Sequence, residues 1–276
     1  MPYITNTQNK AEVKLYYRDL GKGQPVILIH GWPLNGDSWE SQINALTDAG
    51  FRCIAYDRRG FGKSDVASEA YDYDALASDL HAIIEELQLD QVILAGFSMG
   101  GGEVVRYLTK YGSAKVAKVA LIASIIPLVA QKSDNPEGVP QEKLNEIMQA
   151  LKTDRVGFLQ DFHKNFYNVG MLNKPVSQGR LDADFIVSSQ ASGHATIKCA
   201  EAWGGTDFRP ELKSVTVPAL IVHGDADQIV PIKTAGEQAA KGIANHEYHV
   251  IEGAPHGLNV THAEELNTLL VAFCKK

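Results

Sequence analysis

Cysteine is scarce in this sequence: Cys53, Cys199 and Cys274 are the only three among 276 residues, odd in number and far apart. They form no C-x-x-C pair and no metal-ligand spacing, which argues against a disulfide framework and against a zinc site. Cys53 lies in the apolar run Arg52-Cys53-Ile54-Ala55-Tyr56, where a buried, inert thiol is expected. A reducing, cytoplasmic compartment fits. Long apolar runs are missing as well. No stretch reaches about 18 residues, so neither a transmembrane helix nor a membrane partner is expected. The opening Met1-Pro2-Tyr3-Ile4-Thr5-Asn6 has no basic region followed by an apolar one, so no signal peptide is expected. Basic excess is the third absence. The 26 Lys and Arg are outnumbered by 33 Asp and Glu and are scattered, which gives no footing for nucleic acid.

What remains is enough for a globular protein. A hydrophobic fraction of 45% over this length can bury a sizeable core, and the chain reads as one domain carrying an insertion. Short apolar runs alternate with amphipathic stretches, which argues for an α/β class with βα units on a mostly parallel sheet. The expected strands are Pro25 to His30, Arg52 to Tyr56, Gln91 to Ala95, Val116 to Ala123, Pro218 to Asp225 and Glu247 to Ile251. Lys115 and Lys118 suggest that the fourth of these has frayed or exposed edges. Helices are expected from near Trp39-Glu40 (capped by Asp37 or Ser38), over Tyr73 to Leu87, Glu103 to Lys110 and Ala263 to Phe273.

The rhythm breaks in the middle. From about Pro127 to Leu212 no clear strand appears, and Gln141 to Leu151 and Arg155 to Phe166 read as helices. The division is therefore residues 1–126 as the first part of the core, 127–212 as a helical insertion above the sheet, and 213–276 as the second part. Phe158, Phe162 and Phe166 recur on one face of the second helix; packing between helices and the lining of an acyl pocket both fit that stripe.

Gly96-Phe97-Ser98-Met99-Gly100 matches G-x-S-x-G, with a buried strand before it and a helix after it. Such a turn holds a serine in a strained backbone conformation with its hydroxyl free, and the glycines let the neighbouring chain pass. Ser98 is the candidate nucleophile. A serine hydroxyl is weak and needs a general base. Of nine histidines, His256 stands on the Gly/Pro-bounded loop after the last strand, at the carboxyl end of the sheet where ligand sites collect. His262 falls at the start of a helix and reads as a capping or surface residue, and His223, ending a buried strand, as a structural one. The third member should follow another strand end between serine and histidine. His223-Gly224-Asp225-Ala226-Asp227 offers two carboxylates there, and spacing does not choose between them.

A tetrahedral intermediate also needs preorganised donors. The backbone N–H of Met99 is one candidate. The other is that of Trp32 in His30-Gly31-Trp32-Pro33, since Pro33 has no N–H.

Together, His30-Gly31-Trp32-Pro33, Tyr56-Asp57-Arg58-Arg59-Gly60-Phe61-Gly62-Lys63-Ser64, Gly96 to Glu103 and Ala254-Pro255-His256-Gly257 resemble the cofactor-free haloperoxidases, a group of α/β hydrolases that also holds aryl esterases, perhydrolases and a γ-lactamase. The likeness covers nearly the full length. Asp134 to Pro140 and Asn165 to Asn168 look like the γ-lactamase branch, whereas Trp32 looks like the haloperoxidase and esterase members. The resemblance implies an α/β-hydrolase fold with a helical cap and a triad of Ser98, Asp227 and His256. Asp225 is then left as a loop-stabilising acceptor. It further implies no haem, metal or flavin, Ile229 and Val230 beside the pocket, and a homo-oligomer.

The expected activity is that of a serine hydrolase on small carboxylic esters, acting through an acyl-enzyme that water or hydrogen peroxide then intercepts. Peroxide would give a peracid able to oxidise halide, and could also oxidise Met99. Opening of an amide or γ-lactam with the same residues is the alternative, and a non-catalytic binding protein the more distant one. Dehalogenase or epoxide-hydrolase chemistry would want an aspartate in place of Ser98. Trp32, Phe158, Phe162, Trp203, Ile229 and Val230 are the expected pocket lining, suited to a small apolar or aromatic acyl group.

Overall fold

A computed structural model describes residues 2–8 and 11–276, so Met1, where the N-terminal reading begins, lies outside the described residues. The strands are β1 (Tyr3–Asn6), β2 (Val13–Gly21), β3 (Pro25–Ile29), β4 (Arg52–Tyr56), β5 (Val92–Phe97), β6 (Val116–Ile122), β7 (Ala219–Gly224) and β8 (His246–Ile251). They form one sheet in the order β1-β2-β4-β3-β5-β6-β7-β8. From β4 through β3, β5, β6 and β7 to β8 every pairing is parallel, while β1 and β2 join the edge antiparallel.

The runs that read as strands are continuous apolar stretches because helices cover both faces of a parallel sheet. Side chains alternate across it. Val26 and Leu28 of β3 join the core under α1 (Glu40–Asp48) and the C-terminal helix, together with Leu46, Leu266 and Leu270. Ile27 and Ile29 join the core on the other face, with Leu76 and Ile83 of α2 (Tyr73–Glu86) and Val104 of α3 (Met99–Tyr111). The chain passes from β3 outward to β4 and then back to β5 on the other side of β3. That reversal is the switch point at which the strand ends diverge and leave a crevice.

Between β6 and β7 lie α4 (Gln141–Phe166), α5 (Gln178–Gln190) and α6 (Gly193–Gly205). The two helices expected within 141–166 are the two halves of α4. Asp154 has extended backbone (φ −148°, ψ 78°), and its Oδ1 accepts the N–H of Gly157 at 2.9 Å, so it caps the second half. The remaining helices are α7 (Gly236–Gly242), α8 (Leu258–Thr261) and α9 (Ala263–Lys275).

Several expectations need correction. The expected strands omit β1 and β2, whose apolar and polar residues alternate only briefly and of which only Ile4, Asn6, Val13 and Leu15 are buried. β6 is not an edge: it lies between β5 and β7, and Lys118 turns its Nζ to the carbonyls of Phe273 and Cys274 at 3.0 and 3.1 Å, at the negative end of α9. The helix after Ser98 starts at Met99, four residues earlier than Glu103. The turn before α1 is capped by Asn35, whose side chain accepts the N–H of Asp37.

Candidate active site

Ser98 sits between β5 and α3 with φ 52° and ψ −118°, a left-handed conformation that costs a non-glycine residue about 1–3 kcal/mol. Its neighbours show what keeps it there. A Cβ on Gly96 would fall 2.6 Å from the backbone of Gly100, and one on Gly100 would fall 2.4 Å from the carbonyl oxygen of Ile29. Both glycines are thus required by close passage of the chain.

The hydroxyl of Ser98 lies 2.9 Å from Nε2 of His256, and Nδ1 of His256 lies 2.7 Å from Oδ2 of Asp227. All three side chains are buried. Asp227 Oδ1 accepts the N–H groups of Ile229 at 2.9 Å and Val230 at 2.8 Å. Burial alone would raise this carboxyl, but His256 and His223 beside it hold it well below the usual carboxylate range. Asp225 is turned elsewhere: its Oδ1 accepts the N–H of Gly253 at 2.7 Å, tying the turn after β7 to the turn after β8. His262 bonds the Thr261 hydroxyl and not Ser98.

Sequence reasoning missed how the insertion holds these loops. The carbonyl of Phe166, last residue of α4, accepts the N–H of Gly257 at 2.9 Å. Two residues on, Asn168 donates its amide to the carbonyl of Ala226 at 2.8 Å. One helix end therefore pins the loop of His256 and the loop of Asp227. The rings of Phe97 and Phe166 lie 5.3 and 5.0 Å from the His256 imidazole, centroid to centroid. The pattern Asn165-Phe166-Tyr167-Asn168 carried no local signal of this role.

The N–H groups of Trp32 and Met99 meet no backbone or side-chain acceptor among the described residues. Met99 opens α3, where an N–H has no partner within the helix. The turn holding Trp32 presses against Ser98, since a Cβ on Gly31 would lie 3.1 Å from the Ser98 Cβ. The indole of Trp32 donates to the Thr196 carbonyl at 3.0 Å, which fixes its ring beside α6.

A cavity of about 20 Å³ borders Ser98, Met99 and His256, and is closed by Trp32, Ile125, Phe162, Trp203, Ile229 and Val230. A larger one of about 510 Å³ adjoins it, and Trp32, Phe162, Trp203 and Ile229 line both. Phe158 lines only the larger cavity and reaches the smaller one through its contact with Trp32. Ile125, at the carboxyl end of β6, was not anticipated, although its position after a strand end could have suggested it. Among the described residues no group of three or more His, Cys, Asp or Glu side chains is arranged to hold a metal ion.

This arrangement can be set beside known proteins. A family profile described as alpha/beta hydrolase fold matches residues 24–263. The chain is 39% identical to the non-heme chloroperoxidase CPO-A1 of Kitasatospora aureofaciens over all of both chains. It is 34% identical to the bifunctional esterase/perhydrolase DCH of Acinetobacter calcoaceticus, again over all of both. A crystal structure of bromoperoxidase from Bacillus anthracis superposes with a TM-score of 0.95 at 42% identity, covering 100% of each chain. The chain belongs to the α/β-hydrolase fold family and, within it, to the non-haem haloperoxidases.

Proposed function

We propose that this protein is a serine hydrolase that cleaves small carboxylic esters through an acyl-enzyme on Ser98 and passes the same acyl group to hydrogen peroxide. The single observation that carries the reading is the unbroken chain from Asp227 through His256 to the Ser98 hydroxyl, opening on a small apolar cavity.

In the forward step His256 Nε2 takes the hydroxyl proton as Ser98 Oγ bonds to the ester carbonyl carbon. The oxyanion then faces the N–H groups of Trp32 and Met99. Collapse breaks the bond to the alcohol oxygen, which leaves with the proton held by His256. Water, deprotonated by the same imidazole, returns the acid and free serine. Hydrogen peroxide in place of water gives a peracid. The peracid oxidises bromide or chloride to the hypohalite in solution and is itself reduced to the acid, so halogenation needs no redox group on the protein.

Size favours short acyl groups. One water needs about 10–15 Å³ of such space, so a cavity of about 20 Å³ takes a methyl-sized acyl tail and little else before side chains move. The larger cavity is left for the alcohol. Helices α4 to α6, within residues 127–212, serve as the cap over core parts 1–126 and 213–276. The opening of amides or lactams is not favoured, because the esterase/perhydrolase and chloroperoxidase similarities point to esters and peroxide. No helix among the described residues is long and apolar enough to cross a membrane. The three cysteines are free and buried, which supports a reducing compartment such as the cytoplasm.

The test compares p-nitrophenyl acetate hydrolysis with peracetic acid formation from acetate and peroxide, in wild type and Ser98→Ala. Both activities should appear in wild type and vanish together in the variant. Halogenation that survives the substitution would contradict the shared intermediate.

A further inference from the structure

The buried groups behind the Trp32 turn form a second constellation that the reaction steps above leave unused. His30 follows β3 and is fully buried. Its Nε2 lies 2.9 Å from the backbone nitrogen of Arg58. A backbone N–H can only donate, so Nε2 is the accepting, unprotonated nitrogen and a neutral imidazole carries its hydrogen on Nδ1. Nδ1 lies 2.9 Å from the carbonyl oxygen of Gly31, to which it therefore donates. Burial, with the Arg58 guanidinium beside the ring, holds His30 well below the ordinary histidine range and so keeps it in this neutral form. Nη1 of Arg58 stands 3.3 Å from Nδ1, but both atoms carry hydrogens, and the approach is a contact of two donors.

The Gly31 carbonyl is held from a second side by the N–H of Leu34 at 3.1 Å. The peptide unit that carries this carbonyl also carries the Trp32 N–H. In a planar trans peptide the two point in opposite directions, and the Gly31–Trp32 bond is not one of the cis bonds. Fixing the carbonyl on the His30 side therefore fixes the direction of the Trp32 N–H on the other.

The same network reaches the other proposed donor. Arg58 Nη2 donates to the His30 carbonyl at 2.6 Å, and its Nε donates to Glu103 Oε1 at 2.6 Å. Tyr56 donates its hydroxyl to Glu103 Oε2 at 2.5 Å. Glu103 lies on α3, the helix that begins with Met99. A buried ion pair of this kind is weak evidence for stability, since the desolvation of both charges opposes it. Here it joins the helix bearing one N–H to the turn bearing the other.

We infer that His30 is a positioning residue for the oxyanion site, its Nδ1–H and the Arg58–Glu103 pair together setting the direction of the Trp32 N–H relative to that of Met99. The inference rests on the reading of Trp32 and Met99 as oxyanion donors. Misplacing a reacting group by about 1 Å costs on the order of 100-fold, and removing an oxyanion donor about 100- to 1,000-fold. Loss of the pin should fall at or below the lower of these.

Two substitutions separate positioning from simple packing. In His30→Asn the amide nitrogen takes the place of Nδ1 and can still donate to Gly31. In His30→Gln the amide takes the place of Nε2 and can still accept from Arg58, but no side chain donates to the Gly31 carbonyl, which keeps only the N–H of Leu34. With p-nitrophenyl acetate, the Gln variant should lose about 10- to 100-fold in kcat with KM little changed, and the Asn variant should stay within a few-fold of wild type. A thionoester places a large, weakly accepting sulfur in the oxyanion site, so the ester-to-thionoester rate ratio should fall in the Gln variant and hold in the Asn variant. Melting temperatures taken alongside report folding. The reverse order, or equal losses with an unchanged ester-to-thionoester ratio, overturns the inference. If the Gln variant does not fold, a natively melting Asn variant with more than about a 10-fold loss in kcat overturns it alone. Wild type without any esterase activity would instead overturn the underlying hydrolase reading.

Discussion

Nε2 of His223 lies 3.2 Å from Oδ2 of Asp227, the same oxygen that Nδ1 of His256 meets at 2.7 Å. Nε2 also lies 2.9 Å from the Val230 carbonyl, an acceptor only, so Nε2 carries a hydrogen and serves both oxygens. The histidine that reads from sequence as structural thus shares Oδ2 with His256, and Asp227 receives donors from two imidazoles and two backbone N–H groups.

His223→Leu removes one of these donors and should lower kcat by about 3- to 10-fold, the size of one hydrogen bond of roughly 1 kcal/mol. His223→Gln, which keeps a donor near the same place, should recover most of it. Asp227→Asn should cost far more, on the order of 10⁴-fold as in other triads. If His223 acts through Asp227, adding His223→Leu to Asp227→Asn should change kcat little further. Fully multiplicative losses in that double-mutant cycle would show that the two do not act together.

The side chains that line both cavities, Trp32, Phe162, Trp203 and Ile229, are expected to limit acyl length. Phe162→Ala removes one of the side chains common to both cavities and should open the smaller cavity to the larger. Each extra methylene accommodated is worth about 10-fold or more in selectivity. The butyrate-to-acetate ratio of kcat/KM for p-nitrophenyl esters should therefore rise by at least about 10-fold. An unchanged ratio would place the acyl chain elsewhere.

Acid stability follows from buried histidines. His163, on α4, is held at about 4 by burial against an ordinary value of 6.5, with its Nε2 2.8 Å from the Ser188 hydroxyl. Its folded pKa is below its unfolded one, so the unfolded chain binds more protons and stability falls as pH drops from about 6.5 toward 4. His30 acts in the same sense. His163→Gln should shrink the fall in melting temperature between about pH 7 and about pH 5. An identical fall in both proteins would remove His163 from the account.

How much of this was legible in the sequence depends on how local each feature is. The Ser98 turn is written in adjacent residues, because only glycine tolerates the contacts at positions 96 and 100. His256 was legible from its place after the last strand. The choice of Asp227 over Asp225 was not legible from spacing, since both follow β7 and only the turn after β8, which engages Asp225 through Gly253, separates them. Asn168 and Ile125 act through contacts with distant parts of the chain, which no local pattern encodes. Lys118 misled for the same reason: a charge inside a strand suggests an edge, yet its stem stays within the fold while the ammonium reaches the carbonyls at the end of α9.

One acyl-enzyme on Ser98 is expected to serve two acceptors, water and hydrogen peroxide. A series of aryl acetates with leaving groups of different acidity, each turned over at one fixed peroxide concentration, tests it by measuring the ratio of peracetic acid to acetic acid. All the esters should give the same ratio, because each passes through the same acetyl group on Ser98 before water and peroxide compete for it. A ratio that changes with the leaving group would mean that peroxide attacks the bound ester itself, and no shared intermediate would remain.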